Sequence, residues 1–193
     1  MAQLNGFKKI KTAVFISGNG SNLKSLINFS KKKISPISIN LIISDNSNSK
    51  GLKYGKIYKI KKKIFHFKDK KLAENKILKE LKKDNIDLIC FAGFMRIVSQ
   101  NFIQKYRGKI LNIHPSLLPK FKGLNTHERA IKNKEKYSGC TVHFVNSKLD
   151  SGKIIIQKKV RIKKNETSKT LAKKILAQEH KIYPKAVLKI FSL

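Results

Sequence analysis

Short β-branched apolar runs alternate along this chain with segments of helical period, and that alternation leaves few folds open. KTAVFI, from Lys11 to Ile16, runs straight into Ser17-Gly18-Asn19-Gly20-Ser21-Asn22, after which LKSLINF takes up helical spacing. This is strand, glycine-rich turn, helix. A second strand from Ile37 to Ile43 closes in Ser44-Asp45-Asn46, and a short helix runs through Leu52 to Ile57. Ile64-Phe65-His66-Phe67 reads as a third strand. Asp69 or Lys70 then opens a helix with Leu72, Ala73, Ile77, Leu78 and Leu81 on one face, closing near Asp84-Asn85. The strand Asp87 to Ala92, the loop Gly93 to Arg96, a short helix from Ser99 to Tyr106 stopped by Gly108, and the strand Lys109 to His114 complete the series.

Such units predict an α/β fold with a doubly wound, mostly parallel sheet and crossover helices. Further on, Thr141 to Val145 and Lys153 to Ile162 alternate in polarity around Asn146 to Gly152, which predicts an antiparallel extension. Thr167 caps a C-terminal helix in which Leu171, Ile175, Ile182, Val187 and Ile190 recur at near-helical spacing, and Pro184 is expected to kink or divide it. With no internal repeat or linker, residues 1–193 are expected to form one domain. Its N-terminal half, to about residue 107, holds the glycine-rich loop, and its C-terminal half holds the polar groups described below.

The formal charge of +33 suggests a nucleic-acid partner, but its chemistry argues otherwise. Only Arg96, Arg107, Arg129 and Arg161 are arginines, whereas phosphate and base readers favour arginine forks, and the lysines are spread from Lys8 to Lys189. Lysine here keeps company with Ile, Asn and Phe, residues that share A/T-rich codons, so nucleotide bias explains the excess without a polyanion. Lys31-Lys32-Lys33 and Lys61-Lys62-Lys63 then read as solvated loops or helix ends. Cys90 and Cys140 lie in apolar or strand-like segments, with no CxxC pair or Cys/His cluster, and read as reduced core thiols with no metal. No signal-peptide h-region or membrane-length apolar run is present, which predicts a cytoplasmic protein without a membrane partner.

Two places carry polar groups that chemistry could use. Gly18-Asn19-Gly20-Ser21-Asn22 offers backbone amides at a helix N-terminus, where an anion such as phosphate is favoured. The same turn can carry two glycines for purely steric reasons. It lacks a P-loop lysine, and Leu23 stands where a dinucleotide fingerprint has its last glycine, so neither a nucleoside triphosphate nor NAD is supported. In Leu111-Asn112-Ile113-His114-Pro115-Ser116-Leu117-Leu118-Pro119, strand alternation sends Asn112 and His114 to one side, and the prolines force the backbone out of the sheet just after the histidine. This pair reads either as satisfied core polar groups or as a catalytic pair. The loop Asn146 to Gly152 brings Asp150, which is either a hairpin-turn aspartate or a carboxylate that raises the imidazole pKa.

SGNGSNL, AGFMRI, LNIHPSLLP, TVHFV, LDSG and QEHKIYP occur here in an order that closely resembles the glycinamide ribonucleotide formyltransferases of purine synthesis, from about Lys11 to about Phe191. LNIHPSLLP alone is shared with other folate-dependent formyltransferases, including those acting on methionyl-tRNA and on sugar nucleotides. The GNGSN loop and the QEH segment separate this branch from them.

The resemblance implies a Rossmann-like formyltransferase fold that works on small molecules, and a monomer or homodimer is expected. Its formyl donor would be 10-formyltetrahydrofolate, a co-substrate, with no metal. Gly20, Ser21 and Asn22 match the site for the ribonucleotide phosphate, and Glu179 matches the contact to the ribose or glycinamide end. Met95, Arg96, Ile97 and Val98 match the pterin pocket, to which Asn112 also contributes, while Asn112, His114 and Asp150 match the catalytic triplet. The implied reaction is direct attack by the glycinamide amine on the formyl carbon, with Asn112 and a protonated His114 facing the oxyanion and Asp150 keeping His114 charged. Two departures stand out. Lys70 replaces an arginine expected at the folate tail, and the loop before Asp150 reads NSKL, with few acids.

Overall fold

The computed structural model describes residues 8–191. Strands β1 (Ile10–Ile16), β2 (Ile37–Ser44), β3 (Lys61–Ile64), β4 (Leu88–Phe91), β5 (Lys109–His114), β6 (Tyr137–Phe144) and β7 (Ile154–Arg161) form one sheet in the order β3-β2-β1-β4-β5-β6-β7. The first five are parallel, and β6 and β7 are added antiparallel. Helices α1 (Ser21–Ser30), α2 (Lys53–Ile57), α3 (Lys70–Lys83), α4 (Gln100–Lys105), α5 (Thr126–Lys132) and α6 (Ser168–Phe191) cover the two faces, with a 3-10 turn at Lys50–Leu52.

The strand period of two splits the core. Val14 and Ile16 of β1 pack with Leu23, Leu26 and Ile27 of α1 and with Leu171, Ile175 and Val187 of α6. Ala13 and Phe15 face the other way, onto Leu41, Ile43, Ile77, Leu81 and Phe102. Because β1 is covered on both faces, it can be a continuous apolar run, as parallel strands between helices are. No helix among the described residues is long and apolar enough to cross a membrane. Cys90 and Cys140 are free and buried, and burial pushes both thiols up to about 12.

Four expectations need correcting. The third strand is Lys61–Ile64, so the Lys61-Lys62-Lys63 run is strand instead of solvated loop or helix end. At a sheet edge backbone pairing with Leu41 to Ser44 decides the register, and all four side chains stay exposed. Phe65 and Phe67, expected in that strand, leave it and pack on the α3 side of the core. Edge lysines also guard against pairing with another sheet. Strand β6 starts at Tyr137, four residues before the alternation becomes visible at Thr141, because Tyr137 to Cys140 pair with Arg161 to Lys158 of β7. Helix α5 was not legible in its short, mixed sequence THERAIK.

Finally, α6 runs unbroken through Pro184. A proline interior to a helix leaves the carbonyl four residues back without its amide partner, and here the Ser25 hydroxyl donates to the His180 carbonyl at 2.8 Å. The helix survives because α1 supplies the missing donor.

Candidate active site

Ligands of open parallel sheets bind beyond the carboxyl ends of the strands, where the strand order reverses. In this sheet the reversal falls between β1 and β4, and a cavity of about 880 Å³ opens there. At one end lies the β1–α1 turn. Gly20 has φ +71°, and a Cβ on it would sit 2.7 Å from the Gly51 Cα, so the left-handed turn and the close approach both require glycine. The Ser49 hydroxyl and the Gly51 amide donate to the Gly18 carbonyl at 2.8 and 3.0 Å, bracing the turn from behind. Helix α1 begins at Ser21 with no side-chain cap and no acidic residue in its first turn, so its N-terminal amides remain available to an anion. Gly20, Ser21, Asn22 and Glu179 all line the cavity. Asn22 Nδ2 donates to Glu179 Oε2 at 2.7 Å, and burial pushes the Glu179 carboxyl up to about 7 against the downward pull of that bond.

At the other end β5 delivers Asn112 and His114 to one face, opposite His143 and Thr141 of β6. Asp150 reaches them from the loop before β7, with its backbone at φ +45°, a left-handed conformation that Asp tolerates better than most residues. Its Oδ2 accepts the Gly123 amide at 2.9 Å and lies 3.3 Å from His114 Nδ1, while its Oδ1 lies 3.4 Å from Asn112 Nδ2 and 3.7 Å from His143 Nε2. Three expected groups are thus together.

The loop that follows is fastened by Thr141, whose hydroxyl donates to the Ser116 carbonyl at 2.6 Å and accepts from the Leu118 amide at 3.2 Å. It brings the Phe121 carbonyl 2.9 Å from His114 Nε2. Since a carbonyl only accepts, Nε2 carries the proton, and Nδ1 is the ring position that faces Asp150.

The electrostatics differ from expectation at His114. Burial pushes its imidazolium below the ordinary histidine range, and the His143 and Arg129 charges add to this; the Phe121 carbonyl and Asp150 pull upward and are outweighed. Asp150 pulls the His114 pKa upward but does not lift it above its ordinary value of 6.5. For Asp150 burial works upward, but the Gly123 amide that donates to it and the two histidines beside it hold the carboxyl below its usual range.

Met95, Arg96, Ile97 and Val98 also line the cavity. The Met95 amide donates to the Ser17 hydroxyl at 2.8 Å, and Arg96 Nε donates to Asp45 Oδ2 at 2.6 Å. Met95 and Ile97 remain 64% and 61% exposed, an apolar wall with nothing packed on it. Lys70, at the start of α3, is not among the cavity-lining residues. Sequence reasoning assigned no role to His127 or His143, both of which line the cavity. His143 could have been found by pairing TVHFV antiparallel against LNIH, which sets it beside Asn112. His127 sits on the unforeseen α5.

A family model described as "Formyl transferase" matches residues 10–187. The chain belongs to the formyltransferase family. Among formyltransferases, it is 40% identical over 185 residues to the phosphoribosylglycinamide formyltransferase of Haemophilus influenzae, covering 94% of this chain and 87% of that one. It is 42% identical over 183 residues to the human trifunctional purine biosynthetic protein adenosine-3, which takes in 93% of this chain but only 18% of that protein's length. The crystal structure of phosphoribosylglycinamide formyltransferase from Brucella melitensis superposes with a TM-score of 0.89 at 41% identity, covering 95% of this chain and 96% of that one. The sheet order, the antiparallel C-terminal strands and the long last helix are those of this family's fold.

Proposed function

We propose that the chain transfers the formyl group of 10-formyltetrahydrofolate to the amine of N1-(5-phospho-D-ribosyl)glycinamide, a step of purine synthesis. The observation that carries this reading is one cavity lined both by an open helix N-terminus and by Asn112, His114 and Asp150. An anionic ribonucleotide anchored at Gly20, Ser21 and Asn22, with Glu179 beside it, would extend its amine toward β5. The exposed apolar wall of Met95 and Ile97 suits a flat heteroaromatic ring, and about 880 Å³ is ample for both substrates' reacting ends.

The residues divide the work as follows. Asn112 donates to the oxygen that gains charge as the amine adds to the formyl carbon. His114, neutral at rest, takes up the proton shed by the amine at Nδ1, where Asp150 Oδ2 at 3.3 Å stabilises the imidazolium formed. This order reverses the one the sequence suggests, in which His114 begins charged. Passing that proton on to the departing folate nitrogen returns the ring to neutrality, and no covalent bond to the enzyme is required. Small-molecule substrates suffice for this chemistry, with no nucleic acid, membrane or metal.

The test is to follow loss of the formyl group from the folate donor with and without the ribonucleotide. Amine-dependent transfer supports the proposal. Preference for an amino-sugar nucleotide in competition would replace the acceptor, and steep salt-dependent DNA binding without transfer would replace the reading altogether.

A further inference from the structure

We infer that His143 is a positioning residue that fixes which end of the Asn112 amide faces the reacting atoms; this inference rests on the formyl-transfer reading above. His143 is 2% exposed and takes no part in the mechanism derived so far. Its Nδ1 lies 2.8 Å from the Phe144 carbonyl oxygen. A carbonyl has no proton to give, so Nδ1 carries the hydrogen, and in the neutral ring Nε2 is left as an acceptor. Nε2 in turn lies 3.2 Å from Asn112 Nδ2, which donates to it.

The consequence falls on Asn112. A carboxamide presents a donor at one end and an acceptor at the other, and the two ends have the same shape, so packing alone does not decide between them. The Nε2 acceptor does decide. It takes one hydrogen of the amide and so places the amino end among the reacting groups.

The second hydrogen points toward Asp150 Oδ1 at the long distance of 3.4 Å, a bond weak enough to be exchanged for a stronger one. It is this hydrogen that an oxyanion would receive. With the other tautomer, protonated at Nε2, His143 would claim the Asn112 oxygen, and the whole amide would turn over within the same outline. Register makes the arrangement obligatory, since Asn112 and His143 are directly paired across β5 and β6. The groups facing the His143 ring are Asn112 and Asp150, with the Phe144 carbonyl behind it.

His143→Phe removes the acceptor and keeps a ring; His143→Gln restores an acceptor oxygen near the Nε2 position. The Phe variant is expected to lose about 30-fold in kcat, with KM for both substrates within about threefold, and the Gln variant to regain most of the loss. On an Asn112→Ala background, His143→Phe should cost nothing further, because its effect passes through the amide. Long-range nitrogen-proton correlation spectra of the wild-type protein should show the Nδ1–H tautomer. An Nε2–H tautomer, unchanged kcat in His143→Phe, or full additivity with Asn112→Ala would each overturn the inference. Absence of formyl transfer in the wild-type protein would instead remove the functional reading, while the tautomer measurement still stands by itself.

Discussion

Asp150→Asn isolates charge from shape at the centre of the site. Asparagine keeps an oxygen to accept the Gly123 amide, and it tolerates the φ of +45° that Asp150 adopts, so the loop should hold its course. What goes is the negative charge 3.3 Å from His114 Nδ1. With both side chains 7% exposed, an effective dielectric constant of about 20 puts the lost attraction for an imidazolium at about 5 kcal/mol, which is a ceiling because surrounding dipoles relax. A loss of about 10³-fold in kcat, equivalent to about 4 kcal/mol, follows. KM for the ribonucleotide should stay within about threefold, since Asp150 is not among the residues proposed to anchor it. The pH profile supplies the sign. If His114 acts as a neutral base, kcat falls as pH drops through its pKa, which lies below 6.5 in the wild type. Removing Asp150 takes away one of the pulls holding that pKa up, so the acid limb should move to lower pH. Steady-state rates between about pH 5 and 9 measure both effects. A kcat within tenfold of wild type, or an acid limb that moves upward, would refute the argument.

Other perturbations test the surroundings. Glu179 has its carboxyl raised to about 7 against an ordinary 4.5, so its contribution to stability is present below about pH 4.5 and is lost as pH rises through about 7. Glu179→Gln, which keeps the Asn22 bond, should therefore stabilise the free protein at pH 8 by up to about 3 kcal/mol in denaturant unfolding, and far less at pH 5. Gly20→Ala must relieve a 2.7 Å contact with backbone and a positive φ, so KM for the ribonucleotide should rise about tenfold in initial-rate assays while KM for the folate donor stays level. Ser25→Ala strands the His180 carbonyl inside α6 and should cost about 1–2 kcal/mol in thermal or chemical unfolding, with kcat unchanged.

The alternation of strands and helices was readable because burial and local period agree there. Val14 and Ile16 point to α1 and α6, Ala13 and Phe15 to α3 and α4, and a run of apolar residues satisfies both sides at once. Reading failed where tertiary pairing overrode local character. Lys61-Lys62-Lys63 has no strand-like pattern, yet β2 offers an open edge, and Lys61 finds Glu80 and Asp84 at 2.6 and 2.7 Å. Pro184 was expected to disturb a helix whose one freed carbonyl is answered from another element. Neither Ser25 nor Glu80 is near its partner in sequence, and no local window contains the information.

The site divides along the same line. Asn112 and His114 share a face by alternation alone, so their side of the sheet could be foreseen. Their protonation could not, because it depends on how deeply the loop Pro115 to Phe121 buries the ring, and that loop is fastened by Thr141 and Gln157 from β6 and β7. A carboxylate beside an imidazole is a reason to expect a raised pKa, but with His114 and Asp150 both 7% exposed burial works against the cation, and the net direction at His114 is downward. The functional consequence is a change of direction. On the proposed mechanism, a ring that begins neutral receives a proton from the amine, and Asp150 acts on the charge when it forms instead of maintaining it beforehand. That is why the limb on which the His114 titration falls, acid for a ring that begins neutral and alkaline for one that begins charged, separates the two descriptions of this site better than the size of the rate loss in Asp150→Asn.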